Sequence, residues 1–316
     1  MFIGIGGPKG YVTLRMTHKL TSALQKEILL PDSRKAPPIF TLLLASLAFV
    51  LVPFLFWYLT WFGRKLSDAD LGKYLTDTSV PHQTQHAIAQ LGDMMARHDP
   101  AAQRWHPQLL ALARSPERQF RLMAAWAMGQ DAKSDDFDQA LLTLLHDPEP
   151  MVRWNAALAL IRFGDASGEP ELHLMLRPYT LPASATGSIT LRVKVRDVFP
   201  SGTVLARIKH NPDGEDSGNE EEVRSPMSGA LERWMVSDGA HVVRGDAIAV
   251  LAPGSDQVWE ALRALALVGQ PADLEDVERF ERGVPGMNEK IQQQAELTAG
   301  AIRRRAASQG KVDGRQ

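Results

Sequence analysis

The 316-residue chain contains no cysteine. That absence excludes disulfides, thiolate metal sites, iron–sulfur ligation and cysteine nucleophiles together. An excess of charge of one sign is missing too: 35 Lys and Arg against 37 Asp and Glu give a net charge of −2. A chain built to grip nucleic acid phosphates needs a basic surplus, so nucleic acid is not an expected partner. Catalytic signatures are absent as well. Gly4, Gly6 and Gly7 lack the strand–loop–helix setting and the Gly-Lys-Ser/Thr of a phosphate loop. No Gly-x-Ser-x-Gly elbow occurs, and no pair of carboxylates stands out from ordinary surface charge. No cofactor is expected.

What the chain does have is unevenly spread. Residues 39–62 run for 24 positions without a charge. As a helix they would span about 36 Å, against about 30 Å of bilayer hydrocarbon. Trp57, Tyr58 and Trp61 crowd one end, as an interfacial aromatic belt would. The run predicts a transmembrane helix, with the lipid bilayer as a partner. Lys9, Arg15, Lys19, Lys26, Arg34 and Lys35 precede it, and Arg64, Lys65 and Lys73 follow. That bias predicts a cytoplasmic N-terminus and an exported, periplasmic head. A start at Met16 would leave four of the upstream basic residues, and a cytoplasmic head is then the alternative. Residues 1–38 read as a basic N-terminal segment and 63–80 as a juxtamembrane linker.

Residues 81–177 read as helices separated by Asp, Pro and Gly turns. Two segments align. Phe120-Arg121 is followed by Ala124-Ala125-Trp126-Ala127-Met128, and Val152-Arg153 by Ala156-Ala157-Leu158-Ala159-Leu160. The offset is 32 residues throughout, and a Pro-containing turn precedes each. A period of this size means stacked helical pairs. Paired alanines let successive helices approach closely, and Trp126 and Leu158 would fill the space between layers. This pattern resembles HEAT repeats, which implies an α-solenoid that binds other proteins. A similar helix recurs at Val258–Gly269, with Trp259 where the arginine would stand. Residues 255–306 are therefore expected to hold a further repeat and a capping helix, and 307–316 a disordered tail.

Residues 178–252 change character. β-Branched residues alternate with polar ones between glycines, as in a small all-β unit. Its halves match each other: Gly187 and Gly202 are 15 apart, Gly229 and Gly245 are 16 apart. Equal halves predict two interlocked β units related by a pseudo-dyad. The second half, with Pro226, Gly229, Gly239 and Gly245 in its turns, resembles the biotinyl/lipoyl carrier domain, or barrel-sandwich hybrid, and its relatives in membrane-fusion adaptors. Carrier domains present a modified lysine at the hairpin between the halves. Here that segment is long and acidic, and its only lysine, Lys209, directly follows a strand. An unmodified module is expected, and Lys209 would bear a cofactor only in a carrier protein.

Metal-ligating patterns are weak. The acidic stretch from Asp213 to Glu222 does not follow the EF-hand order. His82 and His86 would share a helix face but lack a third ligand. His98, His106, His146 and His173 read as local polar residues, and no metal site is expected. The sequence thus predicts a multidomain chain: one transmembrane helix, an α-solenoid of HEAT-like repeats and a small all-β barrel-sandwich hybrid inserted in the array. Its expected role is a non-enzymatic, membrane-anchored scaffold or adaptor for protein partners. The alternative is a carrier subunit of a biotin- or lipoate-dependent complex.

Overall fold

The computed structural model describes residues 39–61, 65–131, 134–210 and 220–313. They fall into two units, 1–65 and 66–316. The basic segment 1–38 lies outside the described residues. The first unit contributes helix α1, Ile39–Trp61. Its described side chains are those of residues 43, 44 and 46–55, and all are exposed. Those of Trp57, Tyr58 and Trp61 lie outside the description. Among the described residues no helix is long and apolar enough to cross a membrane. That finding overturns the expected single-pass anchor and the membrane location built on it, and it leaves the bilayer partner without support.

The second unit opens with helices α2 (Asp68–Thr76), α3 (Pro81–Ala96), α4 (His106–Leu112), α5 (Arg118–Met128), α6 (Asp135–Leu144), α7 (Pro150–Phe163) and α8 (Glu169–Leu176). Their ends follow local chemistry. Proline occupies the first turn of α3, α4, α7 and α8, where its missing N–H costs nothing. Asp99 caps the short turn 100–105, its carboxylate accepting the Ala101 N–H at 2.9 Å. Successive second helices stack: α3 on α5, α5 on α7. Ala124, Ala125 and Ala156 are fully buried in the cluster that fills these layers, and Ala157 is fully buried on the other side, against Gly168. The indole of Trp126 lies on α3 where Gly92 has no side chain; a Cβ there would sit 2.5 Å from the ring.

Eight strands follow: β1 (Tyr179–Pro182), β2 (Gly187–Leu191), β3 (Val198–Phe199), β4 (Val204–Lys209), β5 (Glu220–Arg224), β6 (Gly229–Trp234), β7 (His241–Val242) and β8 (Ala247–Pro253). They form two four-stranded antiparallel sheets, ordered β1-β8-β6-β3 and β5-β4-β2-β7. Exchanging the halves β1–β4 and β5–β8 turns one order into the other. Hydrogen bonds repeat under the same exchange. Gly202 N–H donates to Ser225 O at 2.8 Å, and Gly245 N–H to Ala183 O at 2.9 Å. Arg196 N–H donates to Leu231 O at 2.7 Å, and Gly239 N–H to Ile189 O at 2.8 Å. A Cβ on Gly187 would lie 2.1 Å from Lys209 O, and one on Gly229 2.2 Å from Ala252 O. Both strands must therefore start on glycine.

Helices α9 (Ser255–Val268), α10 (Leu274–Glu281) and α11 (Glu289–Asp313) complete the unit. Helix α9 packs on α8 and α7, and α11 packs on α9 and α10. The last helix runs to Asp313, past the expected end at 306.

The expected fold class, a transmembrane helix with an α-solenoid and an all-β barrel-sandwich hybrid inserted in it, needs correction. One buried cluster joins Trp154 and Ile161 of α7, Leu172 and Leu176 of α8, Ile189, Leu205 and Ile248 of the strands, and Leu262 and Phe280 beyond them. The cause is short connections: α8 ends at Leu176 and β1 starts at Tyr179, while β8 ends at Pro253 and α9 starts at Ser255. With no linker to separate them, strands and helices bury apolar surface against each other. Among the described residues the architecture is mixed: eleven α-helices and two small antiparallel sheets. A second cluster, from Leu71 to Leu160, fills the earlier layers.

Candidate functional site

Two polar arrangements stand out against the apolar seams. The first joins successive helical layers. Arg121 donates from Nε to Asp147 Oδ2 at 2.6 Å and from Nη2 to Asp147 Oδ1 at 3.1 Å. Its Nη1 donates to Ser115 O at 3.0 Å and Pro116 O at 2.9 Å. One repeat later, Arg153 Nη1 donates to Asp147 O at 2.9 Å and Pro148 O at 3.3 Å, and its Nε to Glu171 Oε1 at 3.0 Å. Each arginine thus ties the turn before its own helix to an acid in the next layer. Burial pushes the Asp147 carboxyl up, but the Arg121 hydrogen bonds, the Glu149 N–H and both guanidinium charges hold it below the usual range. Its hydrogen bonds to Asp147 raise Arg121 further. Asp147 is a structural pivot: its side chain is 5% exposed and fully engaged.

The second arrangement lies where α8 meets α10. Glu169, His173 and Arg177 are spaced by four along α8 and its C-cap, so they share a face. His173 Nε2 is 2.9 Å from Asp273 Oδ1, and its Nδ1 is 3.0 Å from Asp276 Oδ2. Arg177 Nη2 donates to the same Asp276 oxygen at 2.8 Å. Asp273 Oδ2 accepts the Gln270 N–H at 2.6 Å. Burial raises the Glu169 carboxyl, and the adjacent Asp273 carboxylate raises it further. Burial also pushes Asp276 up, but the Arg177 and His173 hydrogen bonds and charges bring it below its ordinary value.

The remaining residues singled out by sequence fall as follows. Gly202, Gly239 and Gly245 occupy turns with φ of 85°, 79° and 94°. Pro226 is half-buried, and its carbonyl accepts from Ser201 Oγ at 3.1 Å. Lys209 is exposed within the ladder, flanked by Ser188 on β2 and Glu220 on β5. His82 and His86 both lie on α3. Sequence reasoning missed the His173 group, because Asp273 and Asp276 lie some hundred positions from it across the β insert. The available signal was the Glu169-x-x-x-His173-x-x-x-Arg177 spacing.

With this geometry in place, comparison with known proteins gives one family match. Residues 106–176 match the family model described as HEAT repeats. This part of the chain is similar to HEAT repeats. The match spans α4 to α8 and includes Arg121, Asp147, Arg153 and Glu171. A solved structure described as a single-chain, multi-domain long-chain acyl-CoA carboxylase is similar at 20% identity over 32% of this chain, with a TM-score of 0.21. The chain spans only 10% of that protein's length, and a likeness of this size carries no argument. No curated protein matches. The expected kinship with membrane-fusion adaptors has no support in these findings.

Proposed function

We propose that the chain is a non-enzymatic scaffold or adaptor that holds protein partners on its helical repeats, with the β unit as a second, unmodified docking element. The observation that carries this reading is the HEAT array itself: HEAT repeats typically serve protein interaction, and their stacked helices offer an extended surface. Leu122, Met123 and Trp126 of α5 and Met151 and Leu158 of α7 pack on the core yet stay partly exposed. Apolar and aromatic side chains held on rigid helices are the usual anchors of an interface. The placement of Lys209 supports an unmodified module. A swinging cofactor arm needs a lysine at a tight tip, and this one lies between two paired strands.

The test is site-specific photo-crosslinking in the cell that makes the protein. A crosslinker at Met123 or Met151 is expected to capture one defined protein, while the same group at exposed Glu296 of α11 does not. Identical products from all three positions would sink the reading. Intact-mass measurement of natively produced protein decides the carrier alternative: a covalent increment mapped to Lys209 would replace the proposal.

A further inference from the structure

We propose that Glu169, His173 and Asp273 form a binding site for a first-row divalent metal ion, with zinc the best fit. One donor atom from each residue lies within 4.8 Å of the other two. Glu169 and His173 project from one face of α8. Asp273 arrives from the turn after α9 and is 2% exposed. The histidine nitrogen and the aspartate oxygen are 2.9 Å apart. Two donors about 2.1 Å from one zinc lie about 3.0–3.4 Å apart, so the pair needs to open by only about half an ångström.

The surroundings favour a metal in a second, independent way. His173 Nδ1 faces the Asp276 carboxylate, which Arg177 holds in turn. A carboxylate behind a histidine fixes the proton on the far nitrogen and raises the basicity of the near one. Nε2 is then the nitrogen left to ligate, 2.9 Å from Asp273 Oδ1. Two carboxylates and a histidine nitrogen crowd one point, and a divalent cation would bind all three with release of the protons they share. Without thiolates the donor set disfavours soft ions, and with one imidazole and two carboxylates it suits zinc or manganese better than calcium. The His173 side chain is 22% exposed, so water can reach the remaining coordination position. Bound there, the ion would clip α8, before the β insert, to the segment after it. The rival arrangement is an imidazolium that satisfies both aspartates by itself and binds no metal.

Isothermal titration of zinc chloride into the EDTA-treated, dialysed full-length chain separates the two. One zinc per chain is expected. The thermal midpoint should rise by about 5–10 °C at zinc about 100-fold above its Kd. Glu169→Gln sits in a half-buried first turn, keeps the helix and should weaken binding at least tenfold. His173→Ala and Asp273→Asn should abolish it. Asp276→Asn should weaken it by about 10–100-fold, and His86→Ala should leave it unchanged. No binding to the wild-type chain, or binding that Glu169→Gln and His173→Ala leave intact, overturns the proposal.

Discussion

The Arg121–Asp147 pair gives the sharpest test of how the layers are held. Truncating Arg121 to alanine leaves the Asp147 carboxylate, 5% exposed, with only the Glu149 N–H and the nearby Arg153 charge. Breaking a buried pair by removing one partner costs about 3–5 kcal/mol. Arg121 is itself 14% exposed, so water recovers part of that cost. About 3 kcal/mol is therefore expected for Arg121→Ala. Asp147→Ala should cost less, about 2 kcal/mol, because the guanidinium keeps its bonds to the Ser115 and Pro116 carbonyls. The double variant should cost clearly less than the sum, with a coupling of about 1–2 kcal/mol. Urea unfolding of the full chain, followed by far-UV circular dichroism, reads all three values. Losses below about 1 kcal/mol with no coupling would place the pair among ordinary surface ion pairs. The layers would then be held by alanine packing alone.

Three further outcomes follow from the same structure. Asp147 is held below its ordinary pKa of 3.8, so its contribution is fully present above that pH and is lost as pH falls through the lowered folded value; Asp147→Asn should flatten that part of an acid-unfolding curve, and an unchanged acid limb would refute it. Gly187→Ala and Gly229→Ala drive a Cβ to 2.1 and 2.2 Å from a backbone oxygen, so each should cost more than about 3 kcal/mol or prevent folding, whereas Gly245→Ala, with open space but a φ of 94°, should cost about 1 kcal/mol in thermal unfolding. Arg196 holds a φ of 75° where the other half has Gly239, so Arg196→Gly should be neutral to about 1 kcal/mol stabilising by the same assay, and a clear loss would show that its side chain contributes unseen.

Local periodicity was the legible part of this chain. The 32-residue offset has a physical counterpart in Arg121 and Arg153, whose Nη1 groups reach carbonyls at equivalent positions in the preceding turns. The glycine spacing of the β region likewise corresponds to the exchange of hydrogen bonds between its halves. Long-range closure was not legible. Nothing in the alternation of residues 178–252 says that Ile189 and Ile248 share a buried cluster with Leu172 and Leu262. His173 looked solitary because its partners lie on the far side of the insert. The uncharged run of residues 39–62 pointed to a membrane span, whereas among the described residues no helix is long and apolar enough to cross one.

The position of the β insert explains why a helical array tolerates it. An inserted segment costs little when its ends already lie close together, because few chain conformations are lost in bridging them. Here β1, where the insert begins, pairs directly with β8, where it ends, with Tyr179 opposite Leu251. The sheet itself thus brings the two cut ends to within one strand spacing, about 5 Å. Helix α9 can then take up its place on α8 and α7. Polar braces fix α9 and α10 there: Gln257 Nε2 of α9 donates to Met175 O at 2.7 Å, Arg177 grips Asp276 of α10, and Arg279 of α10 donates to Leu176 O. The pseudo-dyad has a further consequence. It exchanges the β1–β8 end, which the helices occupy, with the β4–β5 end, where Lys209 and Glu220 face each other. One end is committed to the array, and its dyad mate is the end where the chain crosses from one half to the other. A docking role for the β unit is therefore best sought at β4 and β5, the dyad equivalent of the surface that joins the array.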